Sequence, residues 1–271
     1  MKSLRIIFCL TLTFALSVFA ENYIVNVGQF QKLKINGNLN VIYKNLPDSS
    51  GLVRFSVPDP NEEFFRISTK KDVLKIEPAE EKWGEKDLPV VYAYSDFLTM
   101  LESYSDMTVE ISSIAPCASL HINQIGNGSI NVNNLKCNDI TAAITTGNGS
   151  ITLSGSCVNA TFRMVGAGLI SADRLSADNV KCRILGTGSI GCWPIDNLNV
   201  SGIGSTKIYY KGKPNIKKIG GGKLFELPEE KRDSRGAEVR SFTPRPSQQI
   251  VPDRDEEDYN DDYKTVVTTD E

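Results

Sequence analysis

The chain has 271 residues, 40% hydrophobic and 8% aromatic, enough apolar material to bury a sizeable core. A formal net charge of −3 argues against nucleic acid or an anionic membrane surface as the partner. With a single histidine, His121, and no Cys-x-x-Cys pair, the chain lacks the usual makings of a zinc site.

Residues 1–20 read as a secretory signal peptide. Lys2 and Arg5 form its basic start, Ile6 to Phe19 its apolar stretch, and Val18-x-Ala20 a small-residue cleavage site before Glu21. The apolar run is short for a bilayer span, and Cys9 lies in mid-run, where it does not suit a lipid anchor. The mature protein is therefore expected to be exported to the periplasm, cell surface or medium, with no transmembrane anchor.

Residues 21–100 read as an N-terminal β-strand cap with the first rungs of a larger array. Strand patterns occupy Ile24 to Val27, Leu33 to Ile35, Leu39 to Tyr43, Leu52 to Val57 and Val73 to Ile76, with Pro47 to Gly51 as a turn. Glu62 to Arg66 allows at most one helical turn, and Glu80 to Asp87 is charged loop. Pro89 to Tyr94 is a further strand, and Leu98 to Val109 resembles a degenerate rung without glycines.

Residues 101–227 carry one recurring phrase, Gly-x-Gly followed by a strand-forming pair. It starts at Gly126, Gly147, Gly166, Gly186, Gly202 and Gly220, in steps of 21, 19, 20, 16 and 18 residues. A period near 20 residues implies one supersecondary unit per repeat, too short for a helix pair or a propeller blade. Alternating runs flank each phrase, such as Ile130-x-Val132 and Ile140-x-Ala142-x-Ile144, so two or three short strands per rung have one face inward. Gly126, Gly128, Gly147, Gly149, Gly166, Gly168, Gly186, Gly188, Gly202 and Gly204 are the expected repeat corners, where glycine supplies positive φ or a side-chain-free bend. The fold class that follows is all-β: a right-handed parallel β-helix-like solenoid with an N-terminal β cap.

Cys117, Cys137 and Cys157 are spaced by 20 residues, the repeat length, so they stack on adjacent rungs as either a disulfide pair or a ladder of small buried thiols. Residues 228–271 are dense in charge, with acids from Asp253 to Asp262, and read as a disordered tail, with a terminal strand at Lys264 to Thr268 as the alternative. Asn127 and Asn148 are candidates for an amide ladder, and the Asn-x-Ser/Thr triplets at Asn127, Asn148, Asn159 and Asn199 are read as incidental corner chemistry.

No cofactor is implied. A phosphate-cradling loop would need a helix after Gly-Asn-Gly-Ser, and the calcium roll would need aspartate where Ile130, Ile151, Ile170 and Ile190 stand. Asp139, Asp173, Asp178 and Asp196 are the acids within the repeats, and the last three fall in or near corners, where aspartate commonly serves turns. Outward positions Asn131, Asn133, Thr141, Thr145, Thr152, Arg163, Ser171, Arg183 and Lys207 form flat polar faces suited to weak binding.

Taken together, Gly37-Asn38-Leu39-Asn40-Val41 and the glycine phrases resemble the GIN domain, the head domain of auto-transporter adhesins, over about Tyr23 to Phe225. That family writes its repeat roughly as Ser-Gly-x-Gly-x-Ile. Here the serine survives only at Ser201, with Ile125, Thr146, Val165 and Leu185 elsewhere, and Glu102 to Asp106 lacks the opening glycines. The resemblance implies a β-helix, export, and adhesion or envelope architecture, and it brings no catalytic residues. The expected function is non-enzymatic recognition of a surface glycan or envelope protein through the solenoid faces. The alternative is a carbohydrate-active hydrolase or lyase, which needs paired acids beside an aromatic platform.

Overall fold

The computed structural model describes residues 21–228 and the strand 263–267; residues 1–20, read above as a signal peptide, and the rest of the tail lie outside the described residues. The fold is a β-solenoid of about six turns. Its strands are β1 (Glu21–Asn26), β2 (Lys32–Asn36), β3 (Val41–Asn45), β4 (Leu52–Val57), β5 (Phe65–Lys70), β6 (Val73–Pro78), β7 (Val91–Ser95), β8 (Met100–Tyr104) and β9 (Thr108–Ile111). There follow β10 (Cys117–Ile125), β11 (Ser129–Thr146), β12 (Ser150–Met164), β13 (Leu169–Ile184), β14 (Ser189–Gly202), β15 (Lys207–Tyr210), β16 (Asn215–Gly220), β17 (Lys223–Glu226) and β18 (Tyr263–Val267). Among the described residues, the helical elements are two single 3₁₀ turns, Pro47–Ser49 and Glu80–Lys82. Glu62 to Arg66, read as at most one helical turn, instead leads straight into β5.

The repeats stack in parallel. β10 to β14 pair each with the next, and β14 is followed by β15 and β16, then β17. The expected two or three short strands per rung are, in β11 to β14, one long strand bent at a corner. Each bend shows as a register break, between Val132 and Leu135, Thr152 and Ser154, and Ala172 and Ser176. Alternation then drives the core. Ile130, Ile151, Ile170, Ile190 and Ile208 sit in register on successive rungs, all fully buried. Each such side chain stabilises the stack by roughly 1.5–3 kcal/mol relative to exposure.

The first rungs are built out of chain order. β2 and β3 lie between β6 and β7 on one side and β8 and β9 on the other, all parallel. At the outer end the pattern changes: β1–β4, β4–β7 and β5–β6 are antiparallel. This change of direction lets the chain fold over the open end of the stack. The free edge of β1 is covered by β18, which runs parallel to it from Asn22↔Tyr263 to Asn26↔Val267. For those five residues of the tail, the strand alternative is the one found.

Candidate functional site

The antiparallel end holds a cleft of about 640 Å³, lined by residues from β1, β4, β5 and the loop before β5. Aromatic side chains dominate it. Tyr23 and Phe55 stack with ring centroids 5.5 Å apart, and Phe65 meets Phe55 edge-on at 5.0 Å. Phe64 and Phe65 are buried, whereas Tyr23 and Phe55 are only partly covered and so can present apolar surface to a ligand. Such a surface suits the apolar face of a sugar ring or another flat ligand.

Carboxylates line the same cleft, and two of them are engaged. Glu62 pairs with Lys82 at 2.7 Å. Glu77 pairs with Lys75 and accepts a hydrogen bond from Asn36 Nδ2 at 3.2 Å. The Lys75 hydrogen bond holds the Glu77 carboxyl below its usual range, outweighing the opposing effect of desolvation. A general acid for glycoside cleavage needs the opposite shift.

The glycine phrases line up as two columns of backbone contact. A Cβ on Gly147 would lie 2.4 Å from the Gly126 carbonyl oxygen, and one on Gly186 would lie 2.0 Å from that of Gly166. In the second column, Gly168 and Gly188 would meet the carbonyls of Gly149 and Gly168 at 2.1 Å. Gly126, Gly147, Gly202 and Gly204 also take positive φ, whereas Gly128, Gly149, Gly166, Gly168, Gly186 and Gly188 do not. The close approach of rung to rung, more than φ, is what excludes a side chain there.

The three spaced cysteines occupy one corner on consecutive rungs, Cys117 beside Cys137 and Cys137 beside Cys157, all as free thiols. A hydrogen bond to Cys137 and burial push the Cys117 thiol well above its ordinary value. The Cys137 thiol is pushed up to about 12: its hydrogen bond with Cys117 favours the thiolate, but that with Cys157, together with burial, outweighs it.

The repeat acids do not converge. Asp139 belongs to a surface ladder, Asp178 and Asp196 are exposed, and Asp173 is buried, accepting a hydrogen bond from Ser171 Oγ at 3.0 Å with Lys211 Nζ at 3.7 Å. Ser171 is thus buried, not an outward position, because β13 turns its corner there. His121 is exposed on β10. Among the described residues, no cluster of three or more His, Cys, Asp or Glu side chains could hold a metal ion. The polar face carries cations: Arg163 on β12 and Arg183 on β13 are in register, and Lys181 lies on β13 two residues before Arg183.

A family model described as "Putative auto-transporter adhesin, head GIN domain" matches residues 29–214. The chain belongs to the GIN-domain family. Among solved structures, this GIN domain is similar to a "putative adhesin" from Bacteroides fragilis NCTC 9343, at 22% identity and TM-score 0.69, covering 78% of this chain and 98% of that one. A "putative adhesin" from Parabacteroides merdae ATCC 43184 has 21% identity and TM-score 0.63, covering 77% and 96%. A "Putative lipid binding protein" from Parabacteroides distasonis ATCC 8503 has 18% identity and TM-score 0.60, covering 77% and 97%. At these identities the likeness shows the fold. No curated protein matches the chain.

Two features of this GIN domain escaped the sequence reading. Asn127 and Asn148 do not form an amide ladder: the Asn148 backbone N–H donates to Asn127 Oδ1 at 3.2 Å, and that of Asn127 to Asp106 Oδ1 at 2.9 Å. The ladder runs instead through Asp139, Asn159, Asn179 and Asn197, each Nδ2 donating to the Oδ1 of the rung before, at 2.9, 3.1 and 2.8 Å. Its signal was the same near-20 spacing that marked the glycines and cysteines. The aromatic cleft had no such signal, because Tyr23 is distant from Phe55 in the chain and meets it only through the antiparallel β1–β4 pairing.

Proposed function

We propose that this protein is an exported, non-enzymatic recognition module that binds a surface glycan through the aromatic cleft at its antiparallel end. The observation that carries the reading is the stacked Tyr23–Phe55 pair at the mouth of a 640 Å³ cleft. Membership of a family described as an adhesin head domain supports an adhesion-like role at a surface. No helix among the described residues is long and apolar enough to cross a membrane, which says nothing of a β-barrel. Arg163, Lys181 and Arg183 offer a second, cationic surface that would favour an acidic sugar.

Acids and aromatics in one cleft also raise the alternative of a carbohydrate-active enzyme. The pairing of Glu62 with Lys82 and of Glu77 with Lys75 favours binding, since both carboxylates serve as anchors for cations. A glycan array probed with the tagged full chain, with turnover of each hit followed in parallel, separates the two. Binding without turnover is expected; turnover of a bound sugar would establish the enzyme, and no binding at all would overturn the glycan reading and move attention to envelope proteins.

A further inference from the structure

The strand register sets three thiols on one line. Cys117 pairs with Cys137, Cys137 with Cys157, and the next place in the column is Ala177, so the run of sulfur ends there. Adjacent rungs are about 4.8 Å apart, within the Cα separations of about 4.4–6.8 Å that a disulfide accepts. Cys117 and Cys157 are two rungs apart, on the order of 9.6 Å, beyond that range. Only the middle residue can therefore bond, and it can bond either way. The column is also accessible: a shallow pocket of about 360 Å³, bounded by Pro116, Lys136 and Val158, opens over all three cysteines, and Cys117 is only half-buried. The two other cysteines of the described residues, Cys182 and Cys192, are fully buried.

We infer that the column is a thiol–disulfide exchange site for small disulfide compounds, holding one internal disulfide and one movable thiol. A thiolate attacks a disulfide sulfur along the axis of the bond it breaks, through a mixed disulfide. The register places Cys137 between Cys117 and Cys157 on successive rungs, so an attack on Cys137 from one side can expel the cysteine on the other. In the first step Cys117, which must lose its proton against the opposing effects of Cys137 and burial and so reacts faster as pH rises, attacks a disulfide R–S–S–R as the thiolate; the Cys117–SR bond forms, and one thiol R–SH leaves with the Cys117 proton. In the second, the Cys137 thiolate attacks Cys117 Sγ, the Cys117–Cys137 bond forms, and a second R–SH leaves with the Cys137 proton. Two protein thiols are oxidised and one small disulfide is reduced to two thiols. In the third, Cys157 attacks Cys137 Sγ; the Cys137–Cys157 bond forms, the bond to Cys117 breaks, and the proton of Cys157 passes to Cys117. The thiol that started buried at Cys157 is now at Cys117, facing the pocket, ready to take up the next disulfide.

The test uses the reduced full chain, incubated with oxidised glutathione and alkylated in acid, with linkages mapped by peptide mass. Wild type is expected to give both Cys117–Cys137 and Cys137–Cys157, with their ratio still drifting towards a constant value after the glutathione is removed. Cys117→Ser should give only the 137–157 bond and Cys157→Ser only the 117–137 bond. Cys137→Ser should give neither, only glutathione adducts. No bond within the column, or a Cys117–Cys157 bond in Cys137→Ser, overturns the proposal. A single linkage in wild type whose amount never changes overturns the exchange. Thermal melts of the reduced proteins show that each variant folds; if Cys137→Ser does not, the two terminal variants alone decide the outcome.

Discussion

Gly188→Ala tests directly why the repeat has its glycines. The new methyl would lie 2.1 Å from the Gly168 carbonyl oxygen, 2.9 Å from Met164 Sδ and 3.0 Å from the Ala167 carbonyl carbon. Met164 can move its sulfur, but the carbonyl belongs to the backbone of the rung before. Ordinary contact requires the two rungs to part by more than about 1 Å. Two hydrogen bonds flank Gly188, one on each side: Ser189 N–H to Gly168 O of the rung before at 3.0 Å, and Lys207 N–H of the rung after to Gly188 O at 3.1 Å. Overpacking costs about 1–3 kcal/mol, and weakening both bonds adds roughly 1–2 kcal/mol. The unfolded-state gain of replacing glycine returns about 0.4–1 kcal/mol. The net loss is about 3 kcal/mol, which for a domain of this size lowers Tm by roughly 6–12 °C. Gly191 is the internal control. It lies on β14 with its nearest would-be neighbour 3.6 Å away and no positive φ, so Gly191→Ala should be neutral or stabilising by up to about 1 kcal/mol. Urea denaturation followed by circular dichroism measures both. Equal stability of Gly188→Ala and wild type would refute the close-approach argument.

Three further outcomes follow from other parts of the molecule. Asn179→Ala removes the donor to Asn159 and the acceptor from Asn197; as the ladder is partly solvated, the loss should be about 1–2 kcal/mol, read as a lower urea midpoint with unchanged slope. Glu77 has its folded pKa depressed by Lys75, so its contribution is present above the unfolded value of 4.5 and lost as pH falls through the folded value. Glu77→Gln should therefore flatten the fall of Tm with acid in that window, and an unchanged acid profile would sink the assignment. Ending the chain at Leu227 removes β18 and uncovers the edge of β1. An open edge invites strand pairing, so light scattering should show self-association rising with concentration, absent from the full chain.

The solenoid was legible because its constraint repeats. A rung that brings backbone within 2.0–2.5 Å of a would-be Cβ can only be glycine, at Gly147, Gly186 and Gly188 alike, and that demand prints a period on the sequence. The same period runs through Cys117, Cys137 and Cys157, which lie in one column. The amide ladder was equally periodic, but Asn127 and Asn148, beside the glycines, drew the reading away from Asn159 and Asn179. The first rungs were not legible in their order, since the pairing of β2 with both β6 and β8 depends on contacts across distant segments, with no local pattern to mark it. The cleft was hidden for the same reason: Tyr23 faces Phe55 through the β1–β4 pairing, and neither residue belongs to a motif.

The central claim is that the aromatic cleft is where this GIN domain meets its glycan. Calorimetric titration of the best array hit into wild type, Phe55→Ala and Arg163→Ala measures it most directly. With melting curves showing both variants folded, Phe55→Ala should weaken binding at least about tenfold, the equivalent of roughly 1.4 kcal/mol, and Arg163→Ala should change it less than about threefold. Full affinity in Phe55→Ala, or a loss confined to Arg163→Ala, would place recognition on the solenoid face and contradict the account.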